Sequence, residues 1–152
     1  MSLLISLLLL ACSTARAPVP LPSAEHGAIT ITVFPNPIVA TKIGETSYEF
    51  PFDVVLHETG GHPVSVIRVS ADVYIFGGNL KIANETYDAQ RINRLGYGTT
   101  VPAGGELHYR FRPRQSVSDE RLFGGVTAEL LVDAVDETGS PAVARTRVTV
   151  TK

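Results

Sequence analysis

The feature that most constrains this chain is a hydrophobic period of two. Val126, Ala128, Leu130, Val132 and Ala134 share one face of an extended segment, and Ala144, Thr146, Val148 and Val150 share one face of the next. Successive side chains of a strand point to opposite faces, so this pattern buries one face of a sheet and wets the other. Residues 28–34 repeat it with Ile29, Ile31 and Val33 facing inward. From Tyr48 to His57 it runs for ten residues, with Tyr48, Phe50, Phe52, Val54 and Leu56 inward and Glu49, Asp53 and His57 outward. Pro51 has no N–H to give a ladder, so that strand is expected at an edge or bulged there.

The phase slips at Val66-Ile67, where one extra residue predicts a β-bulge. Leu107, Tyr109 and Phe111 again point inward, opposite His108, Arg110 and Arg112, until Pro113 stops the run. The glycine-rich middle, 77–105, suggests only short strands at Leu80–Ile82 and Ile92–Thr100. No long window carries a helical period. Strands at short intervals separated by Gly/Pro turns predict an all-β chain, a two-sheet antiparallel β-sandwich of about seven strands over residues 28–152.

The N-terminus is of another kind. Residues 3–11 are apolar and end at Cys12, the single cysteine of the chain. As a helix the run would be about 13 Å long, against about 30 Å of hydrocarbon in a bilayer, so it suits a signal-peptide core rather than a membrane span. The tetrapeptide Leu9-Leu10-Ala11-Cys12 resembles the lipobox of bacterial lipoproteins. That resemblance implies a signal peptide over 1–11, removed by cleavage before Cys12, and acyl groups such as palmitate on Cys12 that anchor the chain to a membrane. It also implies a place in the bacterial cell envelope, with the domain in the periplasm or at the cell surface; Ser13 after the cysteine favours the outer membrane. No Lys or Arg precedes the apolar run, and a start upstream of Met1 would supply the usual basic residues. Residues 12–27 hold the cysteine and three prolines in a stretch without apolar periodicity, which reads as a tether.

Three stretches carry a second resemblance. Phe52-Asp-Val-Val-Leu-His-Glu-Thr-Gly-Gly-His-Pro-Val64 looks like strand, turn and strand. Val101-Pro-Ala-Gly-Gly-Glu-Leu107 looks like a turn leading into a strand, and Leu131-Val-Asp-Ala-Val-Asp-Glu-Thr-Gly139 like the penultimate strand and its hairpin. Together they resemble the immunoglobulin-like and fibronectin-type-III-like domains of secreted bacterial proteins. The Cys–Trp–Cys set of antibody-type domains is absent, since the chain has no Trp and no second Cys. The resemblance implies display, adhesion or assembly, and a fold so widely used does not name a function.

Chemistry is sparse in the sequence. His57-Glu58-Thr-Gly-Gly-His62 differs from the zinc-binding HExxH motif in spacing and in having a turn where the motif needs a helix. Across a hairpin these three residues could still converge, which makes a metal- or small-ligand-binding periplasmic domain the alternative function. No nucleophile elbow and no phosphate cradle is legible, so an enzyme is not expected, nor is a cofactor. The Asp119-Glu120 pair beside Arg121 reads as a solvated loop. With 13 basic and 15 acidic residues, a net charge of −2, nothing calls for nucleic acid. What remains is a candidate binding surface: Tyr87, Arg91, Arg94 and Tyr97 in the irregular middle, and the outward row Arg110 and Arg112, extended by Arg114. Its expected partner is an unidentified envelope protein or an anionic cell-surface polymer, reached from the membrane through the lipid anchor.

Overall fold

A computed structural model describes residues 26–152. The expected signal peptide, the lipidation site Cys12 and nearly all of the tether lie outside the described residues. From residue 26 onward the chain is built of strands: β1 (Ile29–Phe34), β2 (Ile38–Val39), β3 (Thr41–Lys42), β4 (Ser47–Glu49), β5 (Phe52–Glu58), β6 (Val64–Ile75), β7 (Leu80–Asp88), β8 (Thr100–Val101), β9 (Glu106–Phe111), β10 (Arg114–Ser116), β11 (Val126–Asp136) and β12 (Pro141–Thr151). One helical turn, α1 (Ala89–Arg94), interrupts them between β7 and β8. Seven of the strands have six residues or more and five have two or three.

Three sheets result. One has the order β1-β5-β9, a second the order β2-β12-β11-β6-β7 with β8 also on β6, and a small third the order β10-β4-β3. Val54 and Leu56 of the first sheet and Leu130 and Val132 of the second enter one shared core, as the period of two demands. Strand β11 alternates buried and half-buried residues along its whole length, because it is paired on both sides, with β12 and with β6. The bulge expected in β6 is present. Arg68 pairs with Asp133 and Val66 with Ala134, so Ile67 is left over and 49% exposed, while Val66 and Val69 both stay buried.

Three expectations need correction. The ten residues from Tyr48 to His57 are not one strand. Pro51 interrupts the ladder, so β4 joins the small sheet while β5 lies in the middle of the first sheet, not at an edge. The strand expected from Ile92 is instead the end of α1, whose N-terminus is capped by the Asp88 carboxylate accepting the Arg91 N–H at 2.7 Å. A helix of six residues is too short to show a period in sequence. The strand expected over Leu80–Ile82 extends to Asp88, because β7 is held along its length by β6.

The central position of β11 sets an expected outcome. Leu130→Ala removes a fully buried side chain at the point where both large sheets meet, and should cost about 2–5 kcal/mol. Urea unfolding should show a lower midpoint with an unchanged slope; an unaltered midpoint would mean that the shared core is not formed as described.

Candidate functional site

Two parts of the molecule gather charged groups in numbers: a pair of buried carboxylates where the chain enters the domain, and an arginine-lined cleft at the other end of β5.

Glu58 is the last residue of β5 and in phase with Phe52, Val54 and Leu56, so its side chain points inward and is 0% exposed. A carboxylate there is costly unless it is fully hydrogen-bonded. Four backbone N–H groups supply the bonds. Ala28 and Gly60 donate to Oε1 at 3.1 and 2.6 Å, and Gly61 and Gly104 donate to Oε2 at 2.9 and 2.8 Å. Burial by itself would raise the carboxyl's pKa; the four donors outweigh it and hold the value at about 2. Gly60 must be glycine at this approach, because a Cβ there would lie 2.3 Å from the His26 carbonyl oxygen.

Asp136, the last residue of β11, does the same from the second sheet. It is 5% exposed and accepts the N–H groups of Gly27, Thr138 and Ser140 at 3.1, 2.9 and 2.9 Å, and the Thr138 hydroxyl at 2.7 Å. Those donors, led by the Thr138 hydroxyl, hold it below the usual carboxylate range. The amides of Gly27 and Ala28, adjacent in sequence, are therefore clasped by two carboxylates from two different sheets.

This arrangement corrects the expectation for His57, Glu58 and His62, which do not converge. Glu58 is turned into the protein and its oxygens are occupied. His57 lies on the outer face with Nδ1 3.7 Å from Glu106, and His62 lies with Nδ1 3.3 Å from Glu137. Among the described residues no three His, Cys, Asp or Glu side chains are grouped to hold a metal. Nor is Glu120 simply a solvated loop residue. Its carboxylate accepts from Lys42 at 2.9 Å and from the Tyr48 hydroxyl and Lys152, which brings its pKa down to about 2 and ties the small sheet to the end of the chain.

The cleft assembles four of the six residues expected on a binding surface. Tyr87, Arg91, Arg110 and Arg112 line an open space of about 550 Å³ together with Arg114 and Glu85. Tyr87 is not a surface residue, however. It is 5% exposed, with its ring 4.2 Å from that of Phe111 and the Arg91 guanidinium 4.1 Å above it, so it forms the floor. Tyr97 is directed elsewhere, donating its hydroxyl to the Arg110 carbonyl at 3.2 Å, and Arg94 does not line the cleft. The arginines face carboxylates: Arg91 meets Glu85 at 2.6 Å, Arg110 meets Asp53 at 3.0 Å, and Arg112 and Arg114 share Glu49 at 3.4 and 3.1 Å. Four cations stand against three anions.

No protein-family model and no curated protein matches the chain in sequence. Solved structures do resemble it in fold. A structural-genomics target determined by X-ray crystallography superposes with a TM-score of 0.52 at 10% identity, over 84% of this chain and 88% of the other. The putative ApaA protein from Bordetella pertussis superposes with a TM-score of 0.51 at 14% identity, over 84% of this chain and 97% of that one. A CARDB domain from Pyrococcus furiosus, solved with two metal ions, is looser, with a TM-score of 0.37 at 18% identity over 91% of this chain and 100% of that domain.

The Glu58 site makes an expected outcome with a definite sign. The folded carboxyl lies at about 2 against 4.5 for an ordinary one, so its contribution is complete above about pH 4.5 and is lost as pH falls toward 2. Glu58→Gln should cost about 3 kcal/mol at neutral pH and flatten the loss of stability across that window. Denaturant titrations of both proteins at several pH values check it; parallel acid limbs would refute the assignment.

Proposed function

We propose that the chain is a non-catalytic lipoprotein of the bacterial cell envelope that displays an immunoglobulin-like β-sandwich to a partner. The strand order supports the sandwich. Labelling β1, β5 and β9 as A, B and E, and β6, β7, β11 and β12 as C, C′, F and G, yields A-B-E on one sheet and G-F-C-C′ on the other, the immunoglobulin arrangement without its D strand. The short β2 pairs parallel with β12, as a first strand does when it changes sheets.

One observation carries the display reading. The chain enters the domain at Gly27–Ala28, clasped at the Glu58 end of β5, whereas the arginine cleft begins where Arg110 pairs with Asp53 at the other end. Five residues of strand separate Asp53 from Glu58, about 17 Å. A tether running from a lipidated Cys12 through residues 13–27 would thus join one pole of the domain and leave the cleft at the opposite pole, turned from the membrane. A paired, mixed-charge cleft suits an envelope protein or an anionic surface polymer better than a general polyanion.

Incorporation of labelled palmitate into the expressed full-length protein, beside a Cys12→Ala control, tests the reading. Label that disappears with Cys12 is the expected result. Equal absence of label from both proteins would remove the anchor and, with it, tethered display.

A further inference from the structure

We propose that the arginine cleft and an apolar cavity beside it form one binding site for an amphipathic anion, a carboxylate with an unbranched hydrocarbon tail of about six carbons. The cavity measures about 180 Å³ and lies between the large sheets, walled by Phe50, Phe52, Ala71, Val73, Leu130 and Val150. Water occupies about 30 Å³ per molecule in the liquid, so this space corresponds to roughly six heavy atoms; an apolar cavity of about 150 Å³ in another protein stays dry and takes up benzene. Polar groups occur at the mouth, where Asn84 of β7 and Gln115 and Ser116 of β10 face each other. Water gains few partners inside, and a hydrocarbon tail loses none.

Two residues, Glu85 and Pro113, line both the cavity and the cleft. A tail in the cavity therefore leaves its head group among Arg91, Arg112 and Arg114. The carboxylates nearby are already engaged: Glu85 by Arg91 at 2.6 Å, Glu49 by Arg112 and Arg114, and Asp53 by Arg110. Arg112 uses only Nη1 on Glu49, at 3.4 Å, so its Nε and Nη2 donors remain for a ligand oxygen. A cationic head would meet the same guanidinium groups and be repelled, and a neutral one would gain no charge-assisted bond. Tail and head are thus specified by different walls of one site.

The inference rests on reading this cleft as a binding surface and is independent of lipidation at Cys12, so failure here and failure of the anchor are separate results. The full chain carrying Cys12→Ala, which keeps it unlipidated, is titrated with heptanoate and followed by methyl-detected NMR. Heptanoate should shift the methyl signals of Val73 and Leu130, whereas hexylamine and propionate should not. Arg112→Gln should weaken heptanoate about tenfold. Ala71→Leu, which fills the cavity, should abolish binding with the thermal midpoint unchanged or raised. Equal binding of hexylamine, undiminished binding by the folded Ala71→Leu chain, or no methyl shift with heptanoate would each overturn the proposal. Capture on phosphatidylglycerol vesicles without any response to heptanoate would also overturn it, in favour of a membrane contact.

Discussion

Two buried carboxylates hold the ends of this fold together. Glu58 closes β5 and Asp136 closes β11, and between them they accept the amides of Ala28 and Gly27. The strands they terminate belong to different sheets, so the segment that enters the domain is fastened to both layers at once. Ion pairing contributes little to either group; backbone N–H donors solvate them in place of water. Such sites tolerate little change, since removing the acceptor strands several buried donors. The close packing of Gly27 shows the same tightness: a Cβ there would lie 2.5 Å from Val64 Cγ1.

The rest of the architecture follows from where the ladders are allowed to stop. Pro51 and Pro113 sit at equivalent breaks, the first between β4 and β5 and the second between β9 and β10. Each lets its strand leave the first sheet, and β4 and β10 then pair with each other in the small sheet. The Phe50 N–H donates to the Pro113 carbonyl at 2.9 Å, bridging the two breaks. Where the strands diverge, the layers separate, and both the apolar cavity and the arginine cleft border Pro113. Edge β7 is guarded in the usual ways. Ile82 is left over in its pairing with β6, and Lys81 is held to Asp72 at 2.7 Å, so a bulge and a charge discourage further strand addition.

Much of this was legible from parity. The inward set Phe52, Val54 and Leu56 is buried, and Ile67 bulges where the alternation slips. The same parity carried one residue further points Glu58 inward, and the glycines at 60 and 61 signal a backbone that comes close to it. Reading the charge as a mark of solvent hides that signal, because burial of a carboxylate depends on donors remote in sequence, among them Gly104. Arg91, Arg110 and Arg112 were identifiable as outward cations but not as neighbours. Tyr87 followed the opposite course: placed in an irregular segment, it looked exposed, yet β7 pairs with β6 and turns its ring onto Phe111.

The sequence by itself determined the period of two, and hence strands, faces and the likeness to two-layer β domains, because alternation is a local property of an extended backbone. It also set apart residues 1–27 from the domain by composition. Tertiary structure alone decided which strands became neighbours, that β4 and β5 part at Pro51, and that arginines from β9, β10 and α1 border one cleft. These choices rest on contacts between residues far apart in the chain, where the cost of bringing segments together is met by a shared core rather than by any local preference.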